Sequence, residues 1–301
     1  MKNWLLPLLF LCLWLPTPAQ QTLPAEVFDS IHTYEDTLGY LSYVVVNDSL
    51  PENRFAACRK LIPTLVKALQ FPNSFRYPFE RLRAISILYP RDSSFRIFTW
   101  QLMVNPGEYR YYGAIQMNSP ELQLFPLIDR SFEVDNPEQA VLPHDRWYGA
   151  LYYNIKSFES PQGPMHLLFG YDGNSLFERR KLVDVLHFRE GKPFFGAPVF
   201  LNPDGAPRTR NRILLEYAAE ATIRLNYDPA LDLLIFDHLI PLATEHGPSF
   251  VPDGSYEAYR LQDGLWHYIP KVFHQTLDEA PRDFPILDQR KNIDIFGRKK
   301  G

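Results

Sequence analysis

Residues 95–117 read FRIFTWQLMVNPGEYRYYGAIQM, and the fold turns on how this stretch is read. FRIFTWQLMV (95–104) and YRYYGAIQM (109–117) are rich in aromatic and β-branched side chains, which suit a pleated, half-buried surface. Between them stands Pro106-Gly107, which is turn chemistry. The pattern predicts a β-hairpin. LQLFPLI (122–128) follows as a third strand.

The same texture continues downstream. WYGALYYNI (147–155), MHLLFGY (165–171), KLVDVLHF (181–188) and PFFGAPVF (193–200) form a second run of strands. RILLEYA (212–218), TIRLNYD (222–228) and LDLLIFDHLI (231–240) open a third. EAYRL (257–261) and LWHYI (265–269) flank Asp263-Gly264, a strong two-residue hairpin signal. The strands fall into three blocks, about 83–128, 147–200 and 212–269, each near the length of one four-stranded propeller blade. They share no strict motif, so the expected fold is mainly β: a large antiparallel meander, propeller-like or closed as a barrel or sandwich.

Upstream the period changes. Val27, Phe28, Ile31, Tyr34, Leu38 and Leu41 follow helical spacing, as do Phe55, Cys58, Leu61, Ile62, Leu65 and Leu69. Ser49 and Glu52 are spaced as a capping box, and Pro63 is expected to kink the second helix. An N-terminal helical hairpin over 22–75 should therefore precede a β domain over 80–275. The first residues read as a signal peptide over 1–19: Lys2, the apolar run from Leu5 to Leu15, then Thr17-Pro18-Ala19. Residues 276–301, rich in Pro and charge, read as a flexible tail. The expected location is secreted or periplasmic, without stable membrane insertion. Removal of the signal takes away Cys12 and leaves Cys58 alone, so a packed core and not a disulfide must hold the fold.

The segments RIFTW, YYGAIQ, WYGALYYNI, FGYDGN, KLVDVL, FGAPVF, LLIFDHLIP and PDGSYEAY occur in this order over about residues 82–275. Together they resemble an uncharacterised secreted protein family of Bacteroidota bacteria. The resemblance implies placement in the envelope or outside the cell. It brings no activity, and hence no functional residues to carry over.

Composition excludes some functions. The chain has 301 residues and a formal net charge of −4, with no basic stripe to attract nucleic acid. No phosphate-binding loop, dinucleotide fingerprint or G-x-S-x-G elbow is present, so no cofactor is expected. His238, Glu245 and His246 lie close in sequence but lack an H-E-x-x-H helix, and no metal site is expected. Four Asp-Gly pairs, at Asp172, Asp204, Asp253 and Asp263, read as turns rather than as calcium loops.

The candidate ligand-binding residues are Asp237, His238, Trp147 and Tyr148. In a strand, Asp237 and His238 must point to opposite faces, so they cannot be each other's dyad. A buried Asp237 needs a donor, such as Arg224 or a backbone amide. Trp147 and Tyr148 belong to a dense aromatic set with Tyr109, Tyr111, Tyr112, Tyr152 and Tyr153, which can stack on a ligand or fill a core. Two roles follow: non-catalytic binding or structural work on an unknown extracytoplasmic ligand or protein, or hydrolysis of a glycan or ester by acidic residues such as Asp184, Glu216 and Asp237. Ionisable groups converging in a concave pocket would favour the hydrolase.

Overall fold

The structure is a computed structural model that describes residues 23–201, 209–244 and 247–272. The expected signal peptide (1–19) and tail (276–301) lie outside the described residues. Helix α1 (Ala25–Asn47) and helix α2 (Pro51–Leu69) form the expected pair. α1 buries Ile31, Leu38, Leu41 and Val45, and α2 buries Ala57, Cys58, Leu61 and Leu65. Both sets follow the spacing of one helical face. The Ser49/Glu52 capping box does not form. α2 instead starts after Leu50 with Pro51 in its first turn, where the missing N–H costs nothing, and Asp48 accepts the Leu50 amide at 2.8 Å. The buried Arg54 guanidinium donates to the carbonyls of Asp48 (2.6 Å), Ser49 (3.1 Å) and Met103 (2.7 Å), so the interhelical turn is fastened to the first sheet. α2 runs through Pro63 without interruption. Among the described residues, no helix is long and apolar enough to cross a membrane.

The strands build three sheets. In the first, β1 (Ser86–Leu88), β2 (Phe95–Asn105), β3 (Glu108–Met117) and β4 (Leu124–Ile128) form an antiparallel meander, with the expected turn at Pro106-Gly107. The second comprises β5 (Leu142–Pro143), β6 (Leu151–Ser160), β7 (Gly163–Asp172), β8 (Glu178–Arg189) and β9 (Lys192–Phe195), in the order β5-β9-β8-β7-β6. β10 (Phe200–Leu201) and β11 (Thr209–Arg210) start the third sheet. β12 (Ile213–Ala218) does not join it, although it follows in sequence. β9 covers only Leu186–Arg189 of the long β8, and β12 pairs with the remaining stretch, Glu178–Val183. β13 (Leu225–Asp228), β14 (Leu233–Thr244), β15 (Gly247–Gln262) and β16 (Leu265–Ile269) complete the third sheet, in the order β11-β10-β16-β15-β14-β13. Asp263 and Gly264 both adopt positive φ, 51° and 77°, in the β15–β16 hairpin. Among these strands, pairing is antiparallel except between β10 and β16. The sheets do not close into a barrel.

Alternation along the strands stacks the layers. From β2, Phe98, Trp100 and Leu102 pack on the helices, while Phe95 and Ile97 pack on the second sheet. From β8, Leu182 and Leu186 face the first sheet, while Val183 and Val185 face the third. The second sheet is thus covered on both faces, and Met165–Gly170 of β7 and Leu182–His187 of β8 are buried without alternation. Past His238, β14 and β15 continue as a two-stranded ribbon from Leu239↔Pro252 to Thr244↔Gly247. Pro241, Pro248 and Pro252 all fall on rungs of the same parity, so their nitrogens face away from the partner strand. Placed there, the prolines deny the ribbon edges to a third strand.

Candidate functional site

The segments WYGALYYNI, FGYDGN and KLVDVL converge on one polar knot. Asp172 on β7, Arg180 on β8 and Glu216 on β12 are direct cross-strand neighbours, a negative–positive–negative row. Arg180 donates to Glu216 at 2.6 Å and lies 3.9 Å from Asp172. One rung group further along, Asp184 and Arg212 form an ion pair at 2.9 Å, with both side chains fully buried. Tyr148 lies between the two arginines: Arg180 reaches its hydroxyl at 3.4 Å, and the Arg212 guanidinium sits 5.3 Å from its ring centre. Trp147 donates to the Tyr152 hydroxyl at 2.8 Å, and Tyr152 donates to Asp184 at 3.0 Å. Tyr111 on β3 ties the first sheet to the knot by donating to Asp172 at 3.0 Å and accepting the Gly173 amide at 2.6 Å. Burial pushes the Asp172 carboxyl up, against the hydrogen bonds from Asn174 and Tyr111. Burial, then the Asp172 charge, pushes the Tyr111 phenol up.

Gly149 in WYGAL has φ +75°, and a Cβ there would run into the Asp129 carboxylate. That carboxylate accepts the amides of Tyr111 (3.1 Å) and Ser131 (3.0 Å) and the Ser131 hydroxyl (2.8 Å). Only glycine allows both the turn and the approach.

Trp147 and Tyr148 are therefore buried, at 0% and 3% exposure, inside this knot. Asp237 and His238 lie elsewhere, on β14 in the third sheet. As strand alternation requires, one is buried and the other open: Asp237 is 8% exposed and the His238 side chain 39%. Asp237 holds the backbone of Arg224 in both directions, accepting its amide and donating its own N–H to the Arg224 carbonyl at 3.2 Å. The Arg224 guanidinium pairs instead with Asp228 at 3.0 Å. His238 marks a bulge in the β14–β15 register, and its Nδ1 lies 2.9 Å from Asp253. The Ser255 hydroxyl and amide, then His238, hold the Asp253 carboxyl down at about 2.

Asp237→Ala is expected to cost about 1–3 kcal/mol, the penalty for leaving a buried amide without its acceptor. His238→Ala, at an exposed position, should cost clearly less. Urea unfolding of the two variants measures both, and an equal loss would contradict this assignment.

Of the acidic residues named for hydrolysis, Asp184 and Glu216 lie in the knot on paired strands, and Asp237 lies in the third sheet. Asp184 and Glu216 are each held by an arginine, and Asp237 holds backbone. Among the described residues, no three His, Cys, Asp or Glu side chains converge to hold a metal. Glu245 and His246 lie outside the described residues.

A cleft of about 830 Å³ opens on the other face of the first sheet, and none of those residues lines it. Its floor is the helix-facing side of β3 and β4, with Tyr112↔Ile128 and Ala114↔Pro126 as cross-strand pairs. Its wall is the C-terminal half of α2: Ile62, Leu65, Val66 and Leu69. The helix covers only part of the sheet, so Ile62 (39%) and Ile128 (44%) stay exposed. Phe132, in a 3-10 turn at the rim, is 78% exposed. Of the aromatic set, Tyr109, Tyr111 and Tyr112 line the cleft. The α2 wall and Phe132 were not among the candidates. The single signal for them was an α2 apolar stripe that includes Ile62 and is wider than one packed face.

No protein-family model, curated protein or solved structure matches this chain.

Proposed function

We propose that this is a secreted cell-envelope protein with a non-catalytic role, which binds an apolar extracytoplasmic ligand in the cleft between α2 and the β3–β4 face. Export rests on the Lys2, Leu5–Leu15 and Thr17-Pro18-Ala19 series. Binding rests on one observation: the cleft leaves Ile62, Ile128 and Phe132 exposed together around an apolar floor. Its volume lies within the range of small-molecule sites, and apolar side chains gathered at one concave place mark an interaction site. Burying their surface under a ligand contributes roughly 25 cal/mol per Å² before the cost of association. The titratable groups that would serve hydrolysis hold one another or hold backbone.

Titration with the neutral, solvatochromic dye Nile red tests the reading. The purified protein is expected to bind it saturably. Ile128→Asp, which places a charge on the cleft floor at an exposed position, should weaken binding at least tenfold with little change in stability. Equal binding by the variant, or no saturable binding by either protein, would overturn the proposal.

A further inference from the structure

Four charged side chains also line the cleft: Glu108, Arg110, Asp129 and Arg130. Arg110 projects from β3 on the same face as Tyr112 and Ala114, at the α2 side of the cleft. Its guanidinium lies 5.9 Å from the Phe55 ring centre and beside the Tyr112 phenol. Among the described residues, no carboxylate lies within ion-pair distance of it. Its neighbours are already engaged. Arg130 pairs with Glu133 at 3.3 Å, Glu108 accepts from Asn105 at 2.5 Å, and the Asp129 oxygens are taken up by Tyr111 and Ser131. The cleft thus joins an apolar trough to one guanidinium without an anionic partner, its central carbon over an aromatic ring. A guanidinium presents a planar fork that matches a carboxylate with two parallel hydrogen bonds.

We infer that the ligand is a free long-chain carboxylate, with its acyl chain on the Tyr112–Ile128 floor against α2 and its headgroup on Arg110. This deepens the apolar-ligand reading and rests on it. Charge selects the carboxylate over a phosphate. Glu108 projects from the same face of β3 two residues before Arg110, and Asp129 also lines the cleft. A dianion is repelled by those carboxylates more strongly than a monoanion. The acyl chain would cover Ile62, Ile128 and Phe132, the side chains that the fold leaves bare.

The test is calorimetric titration of the purified protein and of Arg110→Gln with laurate, lauryl alcohol and lauryl phosphate below their aggregation limits. The protein should bind laurate at least tenfold more tightly than the alcohol. Arg110→Gln should remove that difference while leaving alcohol affinity unchanged. Arg110 is exposed, so the variant is expected to fold normally, and its unfolding midpoint is checked alongside. Equal affinity for laurate and the alcohol would overturn the carboxylate assignment while leaving the apolar cleft in place. So would an Arg110→Gln variant that loses both equally. Tighter binding of the phosphate than of laurate would overturn the choice of monoanion. Binding of none of the three would overturn the cleft reading itself, and this inference with it.

Discussion

Arg212→Met is expected to lower the unfolding free energy by about 3–5 kcal/mol, a large share of the stability of an ordinary domain. Arg212 and Asp184 are both wholly out of water. Removing the cation leaves the Asp184 carboxylate with the Tyr152 hydroxyl and the Val185 amide but no counter-charge. It also frees the Pro137 carbonyl, which accepts from the same guanidinium. Adding Asp184→Asn should recover part of the loss. The uncompensated charge then disappears, while an amide oxygen still accepts from Tyr152. Urea unfolding of the single and double variants decides the matter. A single variant within about 1 kcal/mol of the parent, or a double variant worse than the single, would show that the pair does not hold the second sheet as described.

The second large effect is a loss of stability in acid. His166 on β7 is buried, packed edge-on against Phe95 and bonded to Ser157 at 2.9 Å. Burial pulls its imidazole down to about 4, against the raising influence of Asp92. A histidine whose folded value lies below its unfolded value of about 6.5 takes up a proton less readily when folded. Its contribution is therefore complete above about pH 6.5 and is lost as the pH falls towards 4, at a cost of about 3 kcal/mol. His187, also pulled down by burial, adds in the same direction. Asp172, pushed up by burial, opposes both. Stability measured at about pH 7.5 and about pH 5 should differ clearly in the parent and less in His166→Asn, whose amide can keep the Ser157 hydrogen bond. An identical pH dependence in the two proteins would contradict this assignment.

What the sequence made legible follows from the range of the forces involved. The β2–β3 and β15–β16 hairpins depend on local turn chemistry at Pro106-Gly107 and Asp263-Gly264, and both stand where their residues place them. The helical pair depends on a local period and also forms. β12 follows β11 in the chain yet pairs with β8, because the short β9 leaves half of β8 uncovered. No window of sequence shows that vacancy. PFFGAPVF reads as one strand but divides into β9 and β10 around Gly196 at φ +98°, where the backbone comes against the Ala140 carbonyl. The capping box failed to a nearer competitor, Pro51.

The site was legible in pieces. Alternation separated Asp237 from His238, but the donor to Asp237 is a backbone amide, and which part of Arg224 faces it depends on the β13–β14 hairpin. Trp147 and Tyr148 stood out as aromatics, but their burial depends on Asp184 and Arg212, far away in sequence. Ile62 shares an apolar stripe with Leu61 and Leu65, and nothing in the stripe says that the sheet beneath stops short of it. The cleft is that shortfall, and it exists only once the layers are stacked.

Ligand binding between α2 and the β3–β4 face is tested most directly by methyl-resolved NMR of the protein titrated with laurate. Saturable shifts are expected at Ile62, Leu65, Val66, Leu69 and Ile128, with Val183 in the second sheet and Ile235 in the third unmoved. Shifts centred on the β14–β15 ribbon at Ile240 and Leu242, or no saturable shift at any methyl, would contradict binding in the cleft.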